Sequence, residues 1–434
     1  VDFSRSRELQ QRLRALIPGG GHTYAKGADQ FPEPFPCVIV RGSGCHVWDA
    51  DGNEFIEYGM GMRAVTLGHA YPPVIAAVRD SLPLGTNFTR PAAIELECAE
   101  RFLEIVDGAD MVKFTKDGST ADTAAVKLAR AYTGRDLVAI CADHPFFSYD
   151  DWFICTTTMD AGIPETPRAE TLRFSYNNIP SLRALFAAHP GRIAAVVLEP
   201  ARTVEPQPGF LESVQALCRE QGAVLIFDEM ITGFRWHVGG AQKTYGVVPD
   251  LSSFGKAVAN GFALSVLCGK REIMRLGSRE RAQDSVFLLS TTHGAETSSL
   301  AAAIRTMQIY RSEPVIEHLY RQGERLRKGI EQAALRHGLE RHFELSGRPC
   351  NLLFGTRDSD GKPSQAFRTL FLQETIRRGF LMPSLVVSYS HTDEVIDRTI
   401  DAVEQALVVY ARALSDGVDQ HLVGRPTCLV FGRR

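Results

Sequence analysis

The sequence predicts an α/β protein. Its larger part is a mostly parallel, helix-covered sheet, and a smaller α+β part is built from both chain ends. Three observations predict this. From about residue 100 to 290, short apolar runs alternate with helical patterns, as strands do when helices cover a parallel sheet. Residues 37–60 alternate apolar and polar positions around the turn signals Gly42–Gly44 and Asp51–Asn53, which reads as a β meander. After Pro314 long helical patterns replace the alternation, with weaker strand signals between them.

In chain order, Leu137–Cys141, Ala194–Leu198 and Ala223–Phe227 read as strands, and 121–133 and 211–221 as helices. A long helix is expected over about 315–335, strands near 350–356 and 380–388, and a last helix near 393–413. That last helix puts Ile396, Ile400, Val403, Leu407 and Tyr410 on one face. The tail 415–434 has turn residues and an apolar patch, Cys428–Phe431, and no assignable element. The expected organisation is an N-terminal segment 1–65 that joins the smaller domain, a large domain 66–312 and a C-terminal α+β domain 313–434.

Composition narrows the function classes. The 434 residues are 44% hydrophobic and 23% charged, ordinary for a globular protein with a large core. A formal net charge of −3 gives no support for nucleic acid or an anionic membrane as partner. The start, VDFSRSRELQQRL, lacks the basic and apolar regions of a signal peptide, and no stretch approaches the ~18 apolar residues of a membrane helix. Nine scattered cysteines without a C-x-x-C pair read as reduced, buried thiols, with no metal site expected. The expected location is therefore cytoplasmic.

Four short stretches carry chemistry. Lys116-Asp117-Gly118-Ser119-Thr120 runs into a helix with Ala121, Ala124, Ala125, Leu128, Ala129 and Tyr132 at helical spacing. Exposed N–H groups, the helix dipole and two hydroxyls make such a start an anion site, although a plain capped terminus reads the same way. Asp228-Glu229 follows an apolar strand, where ligands of parallel sheets bind; a metal ligand, a general base, a partner for a protonated ring nitrogen or a simple cap all fit. Lys256 lies among Phe254, Gly255, Ala257 and Val258; shielding from water lowers an amine's pKa and suits a nucleophile, while a snorkelling lysine is the ordinary alternative. Residues 290–296 place hydroxyls, including Thr291, and a glycine before the apolar helix Leu300–Ile309, which gives a second possible set of phosphate donors or another cap. A phosphate cradle, an acid for a ring nitrogen and a nucleophilic lysine are together the parts that pyridoxal phosphate (PLP) requires.

With these residues in view, the sequence resembles the fold-type I PLP enzymes of the class III aminotransferases, and most of all the glutamate-1-semialdehyde aminomutase branch. The resemblance runs from PGG at 18–20 to SHTDEVIDRTI at 390–400. It rests on LGHAYPPV (67–74), FSYNNIPSL (174–182), VVLEPA (196–201), LIFDEMITGFR (225–235) and PDLSSFGK (249–256). It implies a seven-stranded large domain, the cofactor pyridoxal 5′-phosphate with pyridoxamine 5′-phosphate as its alternate form, and a homodimer with active sites at the interface. It also implies roles. Lys256 is the Schiff-base lysine and proton shuttle, and Asp228 keeps the ring nitrogen protonated. Gly118, Ser119 and Thr120 hold the phosphate from one subunit, and Thr291 reaches it from the other. Met230 packs on one ring face, Phe146 (or else Phe147) on the other, and Glu199 lies near the phenolic oxygen.

The departures from that family bear on substrate. Asp117-Gly118-Ser119-Thr120-Ala121 replaces the usual Ser-Gly-Thr-Glu-Ala, which leaves the backbone donors. Pro145-Phe146-Phe147 replaces Tyr-His-Gly, and Ala259-Asn260-Gly261-Phe262-Ala263 replaces Gly-Gly-Gly-Met-Pro. Lys26 stands where the aminomutase has a carboxylate-binding arginine, and a point charge matches a carboxylate less closely than a fork. Gly61 replaces a pocket tryptophan, with Arg63 nearby, and the gating segment 153–165 is short. Lys26, Arg63, Arg90, Trp152 and His391 are the pocket candidates, each also readable as surface charge or buried hydrogen bonding. The expected activity is transfer of an amino group from a small donor, glutamate being plausible, to a ketone or aldehyde acceptor such as a keto-sugar or cyclic keto acid of secondary metabolism. Intramolecular aminomutase chemistry and a non-catalytic PLP-fold binding protein are the alternatives.

Overall fold

The computed structural model of the chain describes residues 2–279 and 285–431. The chain divides into two compact units, one of residues 72–316 and one of residues 1–71 with 317–434.

In the first unit seven strands form one sheet: β1 (Met111–Thr115), β2 (Leu137–Cys141), β3 (Thr171–Phe174), β4 (Ile193–Leu198), β5 (Val224–Asp228), β6 (Leu251–Phe254) and β7 (Ser265–Gly269). Their order is β1-β7-β6-β5-β4-β2-β3. Only β7 is antiparallel to its neighbours, β1 and β6. The remaining six therefore end on the same edge. Both faces of the sheet are covered. Val138 and Ile140 pack in one core with helix α1 (Gly118–Thr133), while Leu137, Ala139 and Cys141 pack in another with α2 (Phe210–Gln221). Burial on both faces explains why β2, β4 and β5 read as unbroken apolar runs. The strands β1, β3, β6 and β7 gave no comparable signal because they are short or interrupted by Lys113, Arg173 and the serines 252, 253 and 265.

Helix α1 forms where alanine spacing predicts it, and it starts three residues earlier. Asp117 caps it, accepting the Thr120 N–H, and Gly134 ends it in a left-handed conformation at φ 65°. Helix α3 (Thr297–Ser312) starts at Glu296, which accepts the N–H groups of Ser298 and Ser299.

In the second unit, strands Ile39–Ser43, His46–Asp49 and Glu54–Glu57 form the predicted meander, and Phe380–Leu381 adds in parallel to the last. The strand expected over 380–388 stops there. Pro383 lacks an N–H, and beyond it only a lone bridge between Leu352 and Leu385 remains. The other expected strand is Leu353–Thr356, paired with Phe343–Ser346 after a 3₁₀ turn at Pro349–Asn351. Helices Ser4–Leu16, Gln365–Arg377 and Asp393–Asp416, with Val315–Arg336 from residue 317 on, also belong to this unit. The unassigned tail is fastened by side chains: the Thr427 N–H reaches Thr369 Oγ1 at 2.8 Å and the Val423 N–H reaches Gln373 Oε1 at 2.8 Å. All nine cysteines are free thiols, six of them buried. No described helix is long and apolar enough to cross a membrane.

Candidate active site

The strand ends of the large sheet gather the residues that the sequence singled out. β1 runs through Lys116 and Asp117 into α1, β4 ends just before Glu199, β5 ends on Asp228, and β6 ends two residues before Lys256. In parallel sheets this edge is where ligands bind, because loops and helix N-termini converge there.

Asp228 is 5% exposed, and its Oδ1 accepts the Met230 N–H at 2.8 Å. Burial raises its pKa, while the positive charge of Lys256, the Met230 N–H and Asp122 work against the rise. Lys256 thus lies within electrostatic reach of Asp228. It opens a 3₁₀ turn, and its backbone is left-handed at φ 46°, a conformation a residue with a Cβ rarely adopts. Gly255 before it is required by space: a Cβ there would lie 2.5 Å from Ser265 Oγ and 2.6 Å from Met230 Sδ. The Met230 sulfur also comes within 2.9 Å of a Cβ built at Gly118, so Met230 packs between the lysine loop and the start of α1.

At that start the three expected phosphate ligands differ. The Thr120 N–H and hydroxyl both go to Asp117, at 2.8 and 2.9 Å. The resemblance has Gly118, Ser119 and Thr120 hold a phosphate, and here the donors of Thr120 are engaged within the turn. Ser119 Oγ accepts the Tyr149 N–H at 3.2 Å, which leaves its own proton to donate, and the N–H groups of Gly118 and Ser119 precede the intrahelical ladder. The turn around Tyr149 also carries Phe146 and Phe147. Phe147 is 1% exposed and sits in the core against Phe153, whereas Phe146 is 45% exposed and is the ring available to a ligand. Glu199 is buried, its N–H bonded to His144 Nδ1 at 3.0 Å. Burial and then Arg202 hold the His144 imidazole down to about 3, so it is a neutral acceptor.

Trp152, expected at the substrate, is instead 6% exposed in the core, with its indole N–H donated to Thr123 Oγ1 at 2.8 Å. His391 is likewise a core residue, fully buried, its ring tilted against Tyr58 with centroids 4.6 Å apart and bonded through Nδ1 to Ser388. Arg90 and Lys26 are exposed. Arg63 Nε donates to Asn351 Oδ1 at 2.8 Å from a left-handed run in which Met60, Gly61, Met62 and Arg63 all have positive φ. Thr291 is exposed in the turn before α3, whose first N–H groups are taken by Glu296.

One buried acid escaped the sequence reading. Asp122, in the second turn of α1, is 0% exposed and stands beside Asp228. The signal was present: Asp122 occupies the stripe of Ala125, Val126 and Ala129, where an apolar residue belongs. Among the described residues no cluster of His, Cys, Asp and Glu could hold a metal.

An amine, an acid and a helix start whose first N–H groups and Ser119 hydroxyl remain to donate, all at one strand edge, fit PLP. The comparisons agree. The family model for class III aminotransferases matches residues 27–403. The structure of the PLP form of the FumI protein from Sphingopyxis sp. MTA144 is 29% identical, with a TM-score of 0.87 over 95% of this chain and 98% of that one. An omega-transaminase from Sphaerobacter thermophilus is 26% identical, with a TM-score of 0.85 over 94% and 98%. A glutamate-1-semialdehyde aminomutase from Pseudomonas aeruginosa PAO1, at 20% identity and a TM-score of 0.81 over 94% of each chain, shares the fold. By the extent of that family match, this chain belongs to the class III aminotransferases, enzymes that depend on pyridoxal phosphate.

Proposed function

We propose that the enzyme transfers an amino group between separate molecules, from a small amino donor such as L-glutamate to a ketone or aldehyde acceptor, with a keto-sugar or cyclic keto acid as the acceptor class. The observation that carries the reading is the meeting of Lys256 and Asp228 at the strand ends, beside the start of α1. PLP, when bound, supplies the aldehyde and the electron-withdrawing ring. The protein supplies the rest. Lys256 Nζ is the amine for the aldehyde and then the base that moves the proton at the substrate carbon. Asp228 holds a proton at the ring nitrogen. The N–H groups of Gly118 and Ser119 and the Ser119 hydroxyl would hold the phosphate, and Met230, Phe146 and Glu199 would contact the ring. Lys26, Arg63 and Arg90 are the cations proposed for the substrate.

A short segment at 153–165 favours intermolecular transfer, because nothing long is available to retain a product between half-reactions. A homodimer belongs to the same proposal, with Thr291 donated across the interface. Its support is a set of large apolar side chains left open in the first unit, with Leu84 78%, Phe88 52%, Leu96 63% and Phe287 77% exposed.

The test is spectroscopic. The purified protein should be a yellow dimer by mass, and borohydride should abolish the visible band and leave the phosphopyridoxyl group on the peptide containing Lys256. Glutamate should bleach the band, and the acceptor should restore it. A label on another lysine, or a monomer, would remove the corresponding part of the proposal. A band indifferent to every external donor would turn the reading toward intramolecular transfer.

A further inference from the structure

Asp122 has no part in the function proposed above, yet it is among the most costly residues in the first unit. Its carboxyl is 0% exposed, and neither oxygen is met by a donor in good hydrogen-bond geometry. Buried carboxylates ordinarily collect such donors, because an ionised group without them bears the full cost of leaving water. The groups facing it are the Ser253 hydroxyl from β6, the Asp228 carboxyl at the end of β5 and, by charge, the Lys256 amine. Ser253 Oγ is itself buried without a partner in good geometry.

Two carboxyls within hydrogen-bonding reach are joined only if one carries a proton, since an ionised carboxylate accepts and cannot donate. Two neighbouring buried anions would also repel at close range. The surroundings say which one is neutral. Asp228 has the Met230 N–H at 2.8 Å and the Lys256 charge to stabilise it as an anion. Asp122 has neither an N–H donor nor solvent. Burial first, and then the charge of Asp228, push the Asp122 carboxyl well above the usual carboxylate range. A proton on Asp122 given to Asp228, with the second Asp122 oxygen turned to the Ser253 hydroxyl, accounts for all three unpartnered buried oxygens at once.

We propose that Asp122 is a positioning residue that remains protonated, donates its O–H to Asp228 and so holds Asp228 as an oriented anion toward the ring nitrogen. This rests on the reading of Asp228 as the partner of that nitrogen. Without the donor, Asp228 becomes the more basic group, and the proton shifts from the ring to the carboxyl.

The experiment compares the parent protein with Asp122→Asn, Asp122→Ala and Asp228→Asn, each as apoprotein loaded with ring-¹⁵N pyridoxamine phosphate. The readouts are the ¹⁵N shift of the ring nitrogen and the affinity for pyridoxamine phosphate, neither of which needs turnover. Asparagine keeps a donor without a charge, so Asp122→Asn should retain a protonated ring and an affinity within about threefold of the parent. Asp122→Ala should move the resonance toward the unprotonated position and weaken binding by about tenfold, the scale of one lost charge-assisted hydrogen bond. If the alanine variant does not fold, Asp122→Leu, closer in size, takes its place. Asparagine as harmful as alanine would mean that Asp122 acts through charge, and an alanine variant equal to the parent would mean that it does not act; either result overturns the proposal. A ring that stays protonated in Asp228→Asn would instead remove the role of Asp228, so the two failures are distinguishable.

Discussion

At position 256 the chain holds a left-handed backbone, φ 46°, in a residue that has a Cβ. Such a conformation costs about 1–2 kcal/mol in a non-glycine residue, and it persists only where the surroundings impose it. A Cβ at Gly255 before it would run into Ser265 and Met230, and Asn260 after it is left-handed too, at φ 45°. The turn therefore spends stability to aim the Lys256 amine at Asp228. Comparing Lys256→Gly with Lys256→Ala isolates this cost, since both lack the amine and only glycine accepts the backbone freely. The glycine variant should be more stable by about 1 kcal/mol in denaturant unfolding of the apoprotein, and both should be inactive. An alanine variant equal to or more stable than glycine would show that the turn is not strained.

The start of α1 shows how an element is built for two purposes. The family usually has serine where this chain has Asp117, and both are good N-caps, which explains why the exchange leaves the helix intact. Asp117→Ala should cost about 1 kcal/mol of stability, and Asp117→Ser should restore most of it. Because the aspartate also puts a negative charge beside the proposed phosphate site, the serine variant should bind pyridoxamine phosphate at least as tightly as the parent, read by titration of the apoprotein. Weaker binding in the serine variant would mean that the carboxylate itself belongs to the site. At this scale the sequence was legible where pattern is dense. The alanine stripe of α1, the apolar runs of β2, β4 and β5 and the face of the helix Asp393–Asp416 all emerge close to where periodicity puts them. It was less legible where tertiary contact decides. Short polar strands such as β6, LSSF, become strands only because β5 and β7 flank them. Trp152 and His391 looked like pocket residues because polar-tipped rings suit both a site and a core, and only their partners, Thr123 and Ser388, separate the two. Asp122 meets an acid 106 positions away, a pairing that no local spacing reveals.

Across the whole molecule, buried titratable groups set how stability follows pH. Burial holds His144 and His391 down to about 3, whereas in the unfolded chain a histidine takes up its proton near pH 6.5. Their contribution is complete above about pH 6.5 and is lost as the pH falls toward 3, because the unfolded state binds the extra protons. Glu229 and Asp122 act in the opposite sense. Burial pushes Glu229 up to about 7 even though Thr232 and the N–H groups of Gln242 and Ala241 bond to it, and Asp122 is raised well above its ordinary value. These carboxyls keep their protons in the fold but lose them near pH 4 when unfolded, so their contribution is full below about pH 4 and declines as the pH rises. Between about pH 4.5 and 6.5 His144, His391 and His318, which burial also lowers, gain while Glu229 and Asp122 lose, and the two sets largely offset in the unfolding free energy of the apoprotein. Asp122→Asn removes one carboxyl from this balance. Its stability relative to the parent should then rise with pH across the same interval, by up to about 1.4 kcal/mol per unit, the value of one proton. Urea unfolding of both apoproteins at three pH values measures this difference directly. A difference independent of pH would mean that Asp122 is already ionised in the fold, and the shared proton between positions 122 and 228 would have to be given up.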